Sequence, residues 1–194
     1  MKLWTLTAFA ALTLSCQGQP AVVDVPANTP QMNATMETAI LASGCFWGTE
    51  YFLKRIDGVV STTVGYTGGF VENPTYEQVC TKRTGHYEAT EVVFDPSQTD
   101  YETVLRMFFE THDPTQTNGQ GPDIGPQYRS AIFYLNETQK ATAEKLMALL
   151  RAKGYAVATE LLPAAPFYSA EGYHQDYYDN KGGTPYCHGY RALF

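Results

Sequence analysis

"ETAILASGCFWGTEYFLKRI", residues 37–56, changes character at its middle. The first half is a short apolar run closing on Gly44, the pattern of a buried strand. The second half, "FWGTEYFLKRI", reads as a helix, and Gly58 helps to end the segment. Cys45 stands at the junction, between a glycine and two large aromatics, Phe46 and Trp47. A helix N-terminus offers unpaired N–H groups and the positive end of a dipole, so a thiol there is expected to have its pKa lowered, to roughly 3.5–7.5. A packed core cysteine, with its aromatic neighbours as plain core, is the competing reading.

Working outward, "VVSTTVGYTGG" is β-branched and aromatic and reads as a strand running into a loop. "NPTYEQVC" reads as a turn and a short helix, and "HYEATEVVFDP" as a strand stopped by Asp95-Pro96. The next helix is expected to be capped by Thr99, with Glu102 three residues on, and to bury Tyr101, Val104, Leu105, Phe108 and Phe109. A long loop, "THDPTQTNGQGPDIGPQ", follows; loops of that length are often functional. "RSAIFYL" is a strand, and the helix after Asn136 buries Ala143, Leu146, Met147 and Leu150 before a Gly154 cap. "AVATELL" is a last strand, ahead of an irregular stretch rich in Tyr and Gly. This alternation predicts an α+β fold: a two-layer α/β sandwich with a mixed sheet, a ferredoxin-like core and a long irregular C-terminal tail.

The chain has 194 residues, enough for one domain with a real core, and no internal repeat. Its formal net charge of -7 argues against a nucleic-acid footprint, which needs a basic surface. Residues 1–16 carry one lysine, then an apolar run of signal-peptide length, then Cys16. The run is too short to span a membrane. Ser15-Cys16 resembles a bacterial lipoprotein cleavage site, with Thr13 where a leucine usually stands. Export to the periplasm or cell envelope is expected, with a lipid anchor through Cys16 or ordinary secretion as the two outcomes. Residues 17–36 read as a flexible linker, and 37–194 as the catalytic domain. Of the four cysteines, 16, 45, 80 and 187, three remain if Cys16 carries lipid, which suggests a reactive thiol rather than a disulfide scaffold. No CxxC and no Cys/His pair at zinc spacing occurs, so neither metal nor cofactor is expected.

"GCFWGTEYF", "GYTGG", "NPTYEQVC", "TGHYEATEVVFDP", "HDPT", "QYRSAIFY" and "EGYHQDYY" occur in that order between about residues 39 and 180. Together they closely resemble the A-type peptide methionine sulfoxide reductases, enzymes that reverse methionine oxidation for one sulfoxide epimer. The resemblance implies the S epimer, free or in proteins. It implies that Cys45 is the nucleophile and that Phe46 and Trp47 hold the substrate methyl. It makes Glu88 the acid that protonates the sulfoxide oxygen, Tyr76 and Tyr128 the phenols that hydrogen-bond it, and Asp123 the residue that orders the polar network. Burial among aromatics is expected to raise the Glu88 pKa. Tyr87 is larger than the family's usual residue and is expected on the other strand face, while Pro122 replaces a usual Asn. His86, Asp113 and Arg129 are read as scaffold, and Cys80 as a buried small hydrophobe. The resemblance further implies that Cys187, in a glycine-rich mobile tail, resolves the sulfenic acid as a Cys45–Cys187 disulfide, and that a thioredoxin-like partner reduces the bridge in a monomeric enzyme. Two other readings are a cysteine hydrolase or acyl transferase, with Cys45 activated by His86 or His174, and a non-catalytic peptide-binding module.

Overall fold

The computed structural model describes Met1 and residues 35–194. The expected leader after Met1, Cys16 with it, and all but the last two residues of the expected linker lie outside the described residues. No described helix is long and apolar enough to cross a membrane.

In chain order the domain runs β1 (Glu37–Ser43), α1 (Phe46–Leu53), β2 (Val59–Thr67), α2 (Tyr76–Cys80), β3 (Tyr87–Phe94), α3 (Tyr101–Glu110), β4 (Gly119–Gln120), β5 (Asp123–Ile124), β6 (Ser130–Tyr134), α4 (Glu137–Ala152), β7 (Glu160–Pro163), β8 (Tyr168–Ser169) and α5 (Tyr177–Lys181). Six strands form one mixed sheet in the order β7-β6-β1-β3-β2-β8. Neighbours are antiparallel except β6 and β7, which run parallel. The central β6-β1-β3-β2 order with its two crossover helices is the expected ferredoxin-like core.

Alternation along β1 decides what each sheet face covers. Ala39 and Leu41 join the main core with Val92 and Phe94 of β3, Val104, Leu105, Phe108 and Phe109 of α3, and Leu146 and Leu150 of α4. Ile40 and Ala42 point the other way, with Tyr87, Ala89, Ala131 and Phe133. Tyr87 is thus on the opposite face of β3 from Glu88, as expected, and its hydroxyl donates to Glu160 at 2.9 Å. A third cluster, Phe46, Val64, Tyr66, Val79 and Ala170, sits where α1 begins.

Several boundaries differ from the sequence reading. Asp100, not Thr99, caps α3: its carboxylate accepts from Thr103 N at 2.7 Å. Thr99 is still held in the preceding turn, its N–H donating to the Asp95 carbonyl. The strand expected over "AVATELL" is confined to β7, where its pairing with β6 begins at Glu160. The long loop is partly ordered by a small β4–β5 hairpin. Its two-residue turn is Gly121-Pro122, with Gly121 at φ 57, a left-handed position that suits glycine, so Pro122 is accommodated. The tail carries β8 and α5, and its end is anchored rather than loose: Leu193 is buried in the main core and Arg191 N donates to the Glu110 carbonyl.

Candidate active site

β1 ends at Ser43, and the chain must turn sharply to start α1. Gly44, at φ 103, makes that turn, and a Cβ there would fall 2.4 Å from Gln120 Cβ. Cys45 is then the helix N-cap, its carbonyl accepting from Gly48 N at 3.0 Å. The first helical N–H, that of Phe46, donates 3.2 Å to Glu88 Oε2. One helix start therefore serves both the thiol and the carboxyl.

Cys45, Phe46, Trp47, Tyr76, Glu88, Asp123, Tyr128 and Tyr186 line a single cleft of about 70 Å³. Every cleft residue expected from the sequence is there, and Tyr186 is an addition. Larger surface grooves lie elsewhere, one of about 470 Å³ between Met36, Tyr101 and Asn136, but its lining holds no thiol. Cys187 completes the group: the donor atoms of Cys45, Asp123 and Cys187 lie within 4.8 Å of one another, and both thiols are free. That trio is also the set able to hold a thiophilic cation among the described residues.

Glu88 is 2% exposed and lies on the helix side of β3, opposite Tyr66 of β2. Burial, then the nearby Cys45 and Asp123, raise its pKa well above the usual carboxylate range, against the Phe46 N–H that lowers it. A protonated carboxyl is therefore poised in the cleft. Burial, and secondarily Cys80 and Glu88 respectively, also raise the Tyr76 and Tyr128 phenols, which stay protonated as donors. Tyr186 donates to Asp123 Oδ1 at 3.1 Å, tying the tail to the β4–β5 hairpin.

Cys45 departs from expectation. Its pKa is raised, not lowered: the hydrogen bond with Cys187 is the largest cause, then burial and the Cys187 and Asp123 charges. The Trp47 N–H pulls the other way and is outweighed. The helix N-terminus acts as predicted, but on a thiol that is 8% exposed and already partnered. In this state Cys45 is a neutral thiol.

The aromatic wall is built from α1 and the tail. Trp47 stacks on Tyr177 at 3.7 Å and 5°, and its Nε1–H donates to His174 Nδ1 at 3.1 Å. His174 also lies against Phe46 and Tyr76. His86 accepts from Gly69 N through Nδ1 and bonds the Val71 carbonyl through Nε2. His86 thus has both ring nitrogens occupied, while His174 accepts at Nδ1, so its Nε2 carries the ring hydrogen and has no hydrogen-bond partner among the described residues; the thiol of Cys45 meets Cys187 instead, and neither histidine of the hydrolase reading serves as a base at the nucleophile. Asp113 holds Thr115 and Arg129 pairs with Glu160, the scaffold roles expected. Cys80 is exposed, not buried, because it ends the short α2 at the rim.

Sequence reasoning passed over three groups. Glu50 is a buried carboxyl that accepts from Thr62 Oγ1 and Asp176 N, linking α1 to β2 and the tail. Gln120 donates to the Cys187 carbonyl at 3.1 Å. His188 packs beside Cys187, and a Cβ on Gly48 would lie 2.2 Å from its Nδ1. No local signal marks these; each depends on the tail folding back over α1.

A family model described as "Peptide methionine sulfoxide reductase" matches residues 37–193. The chain belongs to the peptide methionine sulfoxide reductase family. A curated relative named peptide methionine sulfoxide reductase MsrA, from Sulfolobus acidocaldarius, is 54% identical over 153 residues, 78% of this chain and 87% of the relative. Mxr1 from Saccharomyces cerevisiae in reduced form has a TM-score of 0.76 at 34% identity, covering 82% of this chain and 94% of that one. The same yeast protein in complex with Trx2 has a TM-score of 0.55 at 25% identity, covering 82% and 92%. This reductase is therefore a thiol-dependent oxidoreductase that reduces peptide methionine sulfoxide, and the cleft at Cys45 contains the groups that chemistry requires.

Proposed function

We propose that the chain reduces the S epimer of methionine sulfoxide, free and in proteins, with Cys45 as nucleophile and Glu88 as acid. The convergence of a thiol, a buried protonated carboxyl and two phenols on one small aromatic cleft carries the reading. The sulfoxide methyl rests against Phe46 and Trp47, which aims its sulfur at Cys45. The Glu88 proton passes to the sulfoxide oxygen while Tyr76 and Tyr128 donate to it. The Cys45 thiol gives up its proton, which restores Glu88, and its sulfur attacks. Methionine leaves, and the oxygen remains on Cys45 as a sulfenic acid. Asp123 keeps Tyr186 and the hairpin in register. Cys187, already beside Cys45, then closes a disulfide and releases water.

A thioredoxin-like partner reduces the bridge, a role supported by the solved yeast complex with Trx2. The enzyme works as a monomer, every cleft residue coming from one chain. The leader directs it to the periplasm or cell envelope, where Cys16 carries a lipid anchor.

Mass spectrometry of the mature protein before and after one equivalent of methionine-S-sulfoxide tests this. The expected result is a lipid on Cys16 and the loss of two hydrogens on turnover. Cys45→Ser is expected to abolish reduction, and Cys187→Ser to stop after about one turnover. Sustained turnover by Cys45→Ser would reject the mechanism.

A further inference from the structure

The reaction above leaves one buried histidine beside the cysteine pair without a task. His188 follows Cys187, and its two ring nitrogens face different partners. Nε2 lies 2.8 Å from the Ser43 carbonyl oxygen, and Nδ1 lies 3.1 Å from Cys187 Sγ. A carbonyl only accepts, so Nε2 carries the hydrogen; in a neutral ring Nδ1 is then a bare lone pair. Burial lowers the His188 pKa to about 4, which keeps the ring neutral near pH 7. The Cys187 S–H is therefore the donor in the contact at Nδ1. The ionisable groups around the ring besides Cys187 are Asp123 and His112. Its place is also fixed: Gly48 leaves room for it on α1, and Gln120 holds the Cys187 carbonyl.

We infer that His188 is the general base of the resolving step, taking the Cys187 proton through Nδ1 as the Cys187 sulfur attacks oxidised Cys45. This rests on the Cys45–Cys187 bridge proposed above. The Cys187 S–H bond breaks and its proton moves to Nδ1. The freed electron pair forms the S–S bond, and the S–O bond of the sulfenic acid breaks. The departing oxygen takes the proton back from the imidazolium and leaves as water. The Cys45 sulfur is reduced, the Cys187 sulfur oxidised, and no outside reductant is consumed. A buried imidazole suits this work because it holds the proton only while the sulfur attacks and gives it up readily to the departing oxygen.

The test is rapid-quench analysis of the full chain with one equivalent of methionine-S-sulfoxide. Free methionine and the Cys45–Cys187 bridge are followed separately, and the bridge rate is normalised to the methionine burst so that only folded protein counts. His188→Gln retains a donor toward the Ser43 carbonyl but has no base. Its bridge rate is expected to fall about 10²-fold. That residual rate should climb roughly tenfold per pH unit below the thiol pKa, since attack must wait for a thiolate formed by solvent. A sulfenic acid trappable by a 1,3-diketone should accumulate. In the native protein the same step should show a normal solvent deuterium isotope effect, a measurement that needs no variant. A bridge rate within about twofold of native with an unchanged pH slope, or no isotope effect on the native step, would overturn the role of His188. Failure of the native protein to form the bridge at all would overturn the pairing beneath it instead.

Discussion

The core between sheet and helices and the cluster at the start of α1 are both almost fully buried, yet they are built from different matter. The first is built from Leu41, Leu105, Phe108, Phe109, Ile132, Leu146 and Leu150, and the one imidazole packed on its phenylalanines, His112, is spent on the Phe108 carbonyl and the Ser130 hydroxyl. The second places Cys45, Glu88, His174, Cys187 and His188 among Phe46, Tyr66 and Trp47. Burying apolar area stabilises the fold at about 25 cal/mol per Å². Burying ionisable groups does the reverse and shifts their titration: Glu88 and Cys45 upward, His188 downward. All three are held neutral, Glu88 and His188 chiefly by the loss of water and Cys45 chiefly by its hydrogen bond with Cys187, with burial second. One region stabilises the chain, and the other uses that stability to hold reactive groups uncharged.

Glu88→Gln breaks this comparison most sharply. Loss of the acid is expected to lower kcat/KM for methionine-S-sulfoxide by about 10²–10⁴-fold. The native rate should persist above the ordinary carboxyl value of 4.5 and fall as Glu88 ionises, and that limb should vanish in the variant. The same change should make the protein more stable at higher pH. Glu88 binds its proton more tightly folded than unfolded, so its contribution is full below 4.5 and is lost as pH rises through the folded value. Thermal unfolding of both proteins across pH checks the sign: the gap should widen with pH in favour of the variant, and a gap that narrows would contradict a buried, protonated carboxyl.

In the first region, Leu105→Ala should cost about 2–5 kcal/mol in denaturant unfolding, by lost burial and a cavity, while the normalised methionine burst stays as in the native protein. A burst that fell with stability would show that the two regions are not separable. The smallest effect is expected at Tyr87→Phe, on the far sheet face. Losing the hydrogen bond to Glu160 should cost about 0.5–1.5 kcal/mol and leave kcat/KM unchanged.

Much of this was legible in residues 37–56 and the motifs that follow. Strand, turn and helix around Cys45 are set by local pattern, and each short motif carries its cleft residue on a defined strand or helix start. What was not legible depends on residues distant in sequence. The direction of the Cys45 shift is decided by Cys187, which local sequence cannot bring to its side. Cys80 was misjudged because a short rim helix buries only Val79. The capping of α3 moved by one residue because the Asp95 turn keeps Thr99 for itself. His188 and Gln120 gain meaning only once they lie over Gly48 of α1 and Gly44 just before it.

The anchored tail has a consequence for the enzyme's clock. Cys187 is 6% exposed and held on both sides, by the Asp123–Tyr186 contact before it and the buried Leu193 after it. On the cycle proposed above, a reductant as large as a protein would have to displace this segment to reach that sulfur, and Gly182 and Gly183, with open surroundings, are where its backbone is freest to yield. On that cycle, repair of a first methionine needs no large motion, whereas readiness for a second waits on one.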